Sequence, residues 1–120
     1  NCASGVACCW IDSVPAIFIS GQVFLNQTIG NSGLRQVGVQ EFDIVNMVKS
    51  ITKYAVIIRK PNEIKYHLEK AYNICTEGRP GPVWIDIPAN MKFRYLGNIS
   101  ILQTLTAVMS LYLTFMAATN

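Results

Sequence analysis

The sequence has 120 residues, of which 51% are hydrophobic and 14% are charged. It is long enough for one domain with an apolar core, and it is too apolar for a disordered chain. The net charge of +3 is the difference between ten basic and seven acidic residues, and the basic residues are scattered along the chain. No basic run is typical of a nucleic-acid-binding arm or a polybasic lipid patch, so we expect no nucleic-acid partner and no membrane partner of that kind.

The chain contains four cysteines and one histidine. The cysteines form no Cys-x-x-Cys pair, so their spacing predicts no metal site. We interpret them as reduced thiols of the core in a reducing, cytoplasmic compartment. The histidine, His67, lies within a predicted helix and is expected to be a surface or half-buried residue, not a member of a catalytic triad.

The amino-terminal third predicts a helix, a buried strand and a long loop. The first segment contains small residues that allow close packing, and the Val14-Pro15 pair ends its helix. The run AIFIS, residues 16–20, is continuously apolar, as in a strand of a buried parallel sheet. Residues 22–41 contain three glycines and several amides, and a loop of this length is usually functional.

The next elements are a short helix, a strand and a longer helix. Asp43 is placed to cap a helix in FDIVNMVKSI, and KYAVIIRK predicts a strand. Pro61 opens the clearest helix of the chain, and Gly78 follows it as a left-handed cap. The apolar stripe of this helix consists of Ile64, Leu68, Ala71, Tyr72 and Cys75.

A third strand, PVWIDI at residues 82–87, completes an alternation of helices and strands. This order predicts an α/β fold with a parallel sheet flanked by helices. Ligands of such sheets bind beyond the carboxyl ends of the strands, so we expect a site where the first strand ends in Ser-Gly-Gln. Asp86 within the third strand is interpreted as a strand-edge partner.

Gln40 and Glu41 form the most informative polar pair of the loop. Two interpretations of Glu41 stay open from the residues alone: it caps the following helix, or it takes part in a functional site with Gln40.

The carboxyl-terminal segment, residues 92–120, differs from the rest because it has no charge after Arg94. Its length would suffice to cross a bilayer. Its polar residues disfavour a membrane span; they include Ser100, Gln103, Thr104, Thr106, Ser110 and Thr114. We expect a helix packed on the domain or a non-native tail that follows a truncated or misread gene end.

Three ordered blocks carry a family resemblance: WIDSVPAIFISGQV, GVQEFDIVNMVKSITKYAVIIRKPNEI and GRPGPVWIDIP. Together they resemble the N-terminal pyrimidine-binding domain of thiamine-diphosphate-dependent enzymes of the acetolactate synthase type. The resemblance covers residues 1–91 and implies the thiamine-diphosphate-binding fold. The chain does not begin with Met, and the resemblance places its first residue inside that domain, so we expect a fold that is incomplete at the N-terminus.

The resemblance also implies site residues. Asn1 would lie near the pyrimidine ring of the cofactor, and Gln40 would contact the cofactor and face the substrate, with Glu41 structural. The family's activating glutamate lies upstream of this chain, so none of its acids is assigned a catalytic role. A separate C-terminal domain would bind the diphosphate through magnesium. Some relatives also bind FAD, which the sequence does not decide for this chain.

The implied activity is that of a carboligase or decarboxylase that acts on 2-keto acids such as pyruvate. The loop is longer than in typical acetolactate synthases, as in relatives that perform other carboligations. The chain would be an inactive fragment of a cytoplasmic homo-oligomer. The alternative is a non-catalytic remnant that binds a partner chain through a sheet edge or a membrane through its tail.

Overall fold

The computed structural model describes residues 2–91. The first helix, α1, spans Cys2–Ile11 and leads into strand β1, Ala16–Gln22. After the loop come helix α2, Ile44–Val48, and strand β2, Tyr54–Ile57. The expectations for Asn1 and for the tail at 92–120 lie outside the described residues.

The second half of the described chain contains helix α3, Ile64–Thr76, and strand β3, Pro82–Pro88. A 3₁₀ turn at Pro61–Glu63 begins the approach to α3, as the proline predicts. Gly78 adopts a left-handed φ of +61° after the helix, which confirms the predicted cap. The predicted order of helices and strands is therefore confirmed.

The three strands form one parallel sheet in the order β1-β3-β2, which confirms the predicted α/β fold. The last strand in the sequence is thus the central strand. Its register places Ser20 opposite Asp86 on one side and Ile57 opposite Asp86 on the other. The interpretation of Asp86 as a strand-edge partner is wrong, because its strand has a neighbour on both sides.

Side chains of β3 point alternately to the two faces of the sheet and join two apolar clusters. Val83 and Ile85 pack with α3 in the larger cluster. Trp84 packs on the opposite face with Val6 of α1 and Val48 of α2. Helices therefore cover both faces, as continuous apolar strands require.

The cysteines are all free, but they do not share the core environment that the sequence predicts. Cys75 is buried against the sheet, whereas Cys2 and Cys8 are exposed and Cys9 is half-buried. The interpretation as core thiols is wrong for α1, because only Val6 of that helix is buried. Within residues 2–91, we find no helix with the length and apolarity that a bilayer crossing needs.

Candidate functional site

A cleft of about 360 Å³ opens at the carboxyl ends of the parallel strands. Each strand contributes to its wall, through Gln22 of β1, Asp86 of β3, and Ile57 with the following Arg59 at β2. The loop and the start of α2 supply the rest of the lining, which consists of Thr28, Ile29, Gly30, Asn31, Glu41, Phe42, Asp43, Val45 and Asn46. The cleft lies where the sequence predicts a site, because strand ends of a parallel sheet leave such a crevice.

Asp86 lies at the base of this cleft and is only 1% exposed. Its carboxylate accepts a hydrogen bond from Ser20 Oγ at 2.5 Å and one from Gln22 Nε2 at 3.1 Å. Ser20 Oγ also accepts a hydrogen bond from Trp84 Nε1 at 2.8 Å. Because a buried carboxylate needs donors, this network is what allows an acid within an apolar strand.

The loop of residues 23–43 closes one side of the cleft and is organised by Glu41. Its carboxylate accepts hydrogen bonds from three backbone amides: those of Val37, at 2.8 Å, of Gly38, at 3.3 Å, and of Ile29. Glu41 is 9% exposed and, with Gly38, is one of the two buried residues of the loop. It therefore joins distant parts of the loop.

Gly38 is needed for this arrangement because the backbone approaches closely there. A Cβ atom at Gly38 would lie 3.0 Å from the Gln27 carbonyl oxygen and 3.1 Å from Val23 Cγ2. A larger residue would push the turn away from the beginning of the loop.

Helix α2 is capped by Asp43, as the sequence predicts. The Asp43 carboxylate accepts a hydrogen bond from the Asn46 amide at 3.0 Å. Glu41 has no part in this cap, so the interpretation of Glu41 as the helix cap is wrong. Its carboxylate, two residues before the cap, instead accepts hydrogen bonds from three backbone amides of the loop.

These amides also set the protonation of Glu41. Desolvation raises the pKa of the Glu41 carboxyl, but the hydrogen bonds from Val37, Ile29 and Gly38 together outweigh it and lower the pKa below its usual 4.5. The carboxylate is thus ionised at neutral pH and acts as an acceptor for the loop.

Gln40 is exposed and has a left-handed φ of +61°. Its side chain is not among those that line the cleft. The residues that follow it, Glu41 and Phe42, do line the cleft. Its assignment to cofactor and substrate stays a prediction, as does that of Asn1.

A second polar cluster joins α3 to the edge strand β2. Tyr54 Oη lies 2.7 Å from His67 Nδ1, and Lys70 Nζ lies 5.1 Å from the centre of the Tyr54 ring. Burial lowers the pKa of His67 and raises that of Tyr54, which favours the neutral form of both side chains. His67 is half-buried, as predicted, and none of these residues lines the cleft.

Within the part of the chain that the structure describes, no group of three or more His, Cys, Asp and Glu side chains could hold a metal ion. Sequence reasoning missed the place of Asp86 in the cleft, and it located Gln22 only as part of the Ser-Gly-Gln strand end. The signal for Asp86 was an acid inside an otherwise apolar strand. Gln22 follows Ser-Gly at the end of β1, so the strand-end rule locates it without revealing its partners.

The chain is similar to acetolactate synthase large subunits. The protein of that name from Haemophilus influenzae is 38% identical over 98 residues, which cover 79% of this chain and 16% of the relative. The probable acetolactate synthase large subunit of Methanocaldococcus jannaschii is 39% identical over 92 residues, 77% of this chain and 15% of the relative. The chloroplastic acetolactate synthase of Arabidopsis thaliana is 37% identical over 92 residues, 77% of this chain and 13% of the relative.

The similarity to acetolactate synthases extends over most of this chain's own length. No protein-family model matches the chain. The chain spans about a sixth or less of the length of these curated relatives. The resemblance of the three sequence blocks to acetolactate synthases is therefore supported. The activity, substrates and partners of a whole enzyme are proposals for this chain.

Proposed function

We propose that this chain is part of a thiamine-diphosphate-dependent enzyme that acts on 2-keto acids such as pyruvate. The observation that carries the proposal is the 38% identity to an acetolactate synthase large subunit across 79% of the chain. We further propose that residues 1–91 are the carboxyl-terminal part of a pyrimidine-binding domain. The segment 92–120 is proposed to lie outside that domain.

The lining of the cleft is compatible with a flat heteroaromatic ring such as the aminopyrimidine. Side-chain amides of Asn31 and Asn46 offer donors and acceptors, and Val45 and Ile57 offer apolar contacts. In this proposal Asn1 and Gln40 contact the cofactor. The diphosphate and its magnesium ion are held by a separate C-terminal domain of the parent enzyme, which we propose to be a homo-oligomer.

When bound, thiamine diphosphate supplies the carbanion chemistry that releases carbon dioxide from a 2-keto acid and joins the remaining unit to a second carbonyl. The proposed task of Gln40 is to orient the keto acid through its side-chain amide. An amide donates a hydrogen bond without adding a negative charge, so it does not repel the substrate carboxylate. Glu41 is proposed to act on the loop alone, because its oxygens already accept three amide protons.

The isolated chain should release no carbon dioxide from pyruvate in the presence of thiamine diphosphate and magnesium. Turnover by the purified chain would contradict its assignment as a fragment. The positive test is a chimera in which residues 2–91 replace the matching segment of the Haemophilus influenzae enzyme. We expect cofactor-dependent release of carbon dioxide from this chimera, whereas a folded and inactive chimera would contradict the proposal.

Gln40→Ala in the chimera should lower kcat by at least about tenfold, the contribution of one positioned hydrogen bond in the transition state. Gln27→Ala is the matched control, because Gln27 is an exposed amide of the same loop to which we assign no contact with cofactor or substrate. Equal effects of the two substitutions would remove Gln40 from the proposed site.

A further inference from the structure

We infer that Gln22 is a positioning residue that ties the backbone of the segment 40–42 to the buried carboxylate of Asp86. The inference deepens the proposed function and rests on it, because Gln40 belongs to this segment. Gln22 Nε2 donates one hydrogen bond to the Phe42 carbonyl oxygen at 2.7 Å and another to Asp86 Oδ2 at 3.1 Å. One amide group therefore joins the loop to the centre of the sheet.

The orientation of the Gln22 amide is determined by the backbone on both sides. The Phe42 carbonyl can only accept a proton, so the nitrogen must face it. The Val23 amide can only donate, so Oε1, which lies 3.0 Å away, must face that amide. Each polar atom of the side chain has a partner, and a flipped amide would lose all of them.

Asp86, which accepts the second hydrogen bond of Gln22, is itself held rigidly in the sheet. It lies on the central strand, it is 1% exposed, and Ser20 Oγ holds its other carboxylate oxygen. The hydroxyl of Ser20 is held in turn by the indole of Trp84, whose ring stacks on Phe18 with 5.4 Å between the ring centres. A side chain bonded to this network has little freedom to move relative to the sheet.

The segment 40–42 has little apolar packing of its own. Phe42 is 57% exposed, Gln40 is exposed as well, and the preceding Val39 is 87% exposed. Gln40 also adopts a left-handed conformation, which is unfavourable for a residue other than glycine. Such a conformation persists only where neighbouring contacts enforce it. Two contacts hold the backbone around Gln40. The Glu41 carboxylate accepts hydrogen bonds from the amides of Val37 and Gly38, and the Gln22 amide donates to the Phe42 carbonyl.

The first test is hydrogen exchange in the 120-residue chain, which needs neither cofactor nor turnover. Gln22→Glu keeps the size of the side chain but removes both donors and adds a charge beside Asp86. We expect the backbone amides of Ile29 and Val37, which donate to Glu41, to exchange about tenfold faster. The exchange rates of the α3 amides should change only as far as the free energy of global unfolding changes. Gln22→Ala removes the donors without the charge and should accelerate the same loop amides.

Gln27→Glu is the matched control, because it makes the same substitution at an exposed position of the loop. We expect wild-type exchange rates from it. Equal acceleration in Gln27→Glu and Gln22→Glu would show a general effect of charge and would overturn the inference. Unchanged loop exchange in both Gln22 variants would overturn it as well.

A double variant separates the positioning role from a merely structural one. In Gln22→Glu with Asp86→Asn, the amide of residue 86 can donate to the carboxylate of residue 22, so the bond across the sheet is restored with its roles exchanged. A carboxylate at residue 22 still cannot donate to the Phe42 carbonyl. We therefore expect global stability to recover relative to Gln22→Glu, while the loop amides continue to exchange about tenfold faster than in wild type.

If global stability and the exchange rates of the loop amides both recovered in the double variant, the inference would be overturned, because the hydrogen bond to the Phe42 carbonyl would then have no effect. These outcomes are independent of the proposed enzyme activity. Accelerated loop exchange together with an inactive chimera would count against the proposed function alone. Wild-type loop exchange together with an active chimera would count against the positioning role alone.

Discussion

Helix α3 with strand β3 and the loop of residues 23–43 are stabilised in different ways. The first region buries apolar side chains over a continuous surface, including Leu68, Val83 and Ile85. The loop buries only Gly38 and Glu41. Its shape depends on a few hydrogen bonds between polar side chains and backbone atoms. Substitutions in the first region should therefore lower global stability, whereas those in the loop should alter local geometry.

The largest effect should come from the core beneath α3. Leu68 is 3% exposed, and Leu68→Ala should lower the free energy of unfolding by about 2–5 kcal/mol, since it loses apolar contacts and leaves a cavity. Urea denaturation of the 120-residue chain measures this. Leu34→Ala is the same substitution in the loop, where the side chain is 59% exposed, and should cost about 0.5 kcal/mol or less. Similar losses from the two variants would erase the distinction between the regions.

Removal of the Glu41 charge should have a smaller and local effect. Glu41→Gln replaces one acceptor oxygen by a donor that faces backbone amides, so the amides of Ile29 and Val37 should exchange about an order of magnitude faster. Hydrogen exchange resolved by residue measures this change. Glu69→Gln is the control, because Glu69 forms only an exposed pair with Lys65 at 3.8 Å. Accelerated exchange in α3 of Glu41→Gln would mean that the loop is not an independent unit.

Acidification should produce the smallest effect, at the contact between α3 and β2. Burial lowers the pKa of His67 below its usual 6.5; the Lys70 charge lowers it further, whereas that of Glu63 raises it. A base with a lowered pKa in the folded state contributes stability that is present above the unfolded pKa and is lost as pH falls through the folded pKa. The wild-type chain should therefore lose stability below about pH 6.5.

The chain has a single histidine, so its imidazole signals in NMR titrations are unambiguous. We expect a midpoint below the unfolded value, and His67→Gln should remove this part of the pH dependence of unfolding. A midpoint above 6.5 would reverse the sign and would mean that Tyr54 stabilises the charged ring.

The sequence by itself determined the elements and their order, because these depend on neighbouring residues. Continuous apolar runs predicted β1 and β3, Asp43 predicted the cap of α2, and Gly78 predicted the end of α3. The alternation of helices and strands sufficed for a parallel sheet. It also located the cleft at the strand ends, since that follows from the geometry of any such sheet.

The tertiary structure alone decided which polar groups meet. Asp86 bonds Ser20 and Gln22, which are 66 and 64 positions away in the sequence, because β3 enters the sheet beside β1. Glu41 accepts the loop amides of Ile29 and Val37, which are 12 and 4 positions away in the sequence, because the loop folds back on itself. Local patterns do not contain these pairings, since a hydrogen bond depends on the distance between groups in space, and strand order sets that distance.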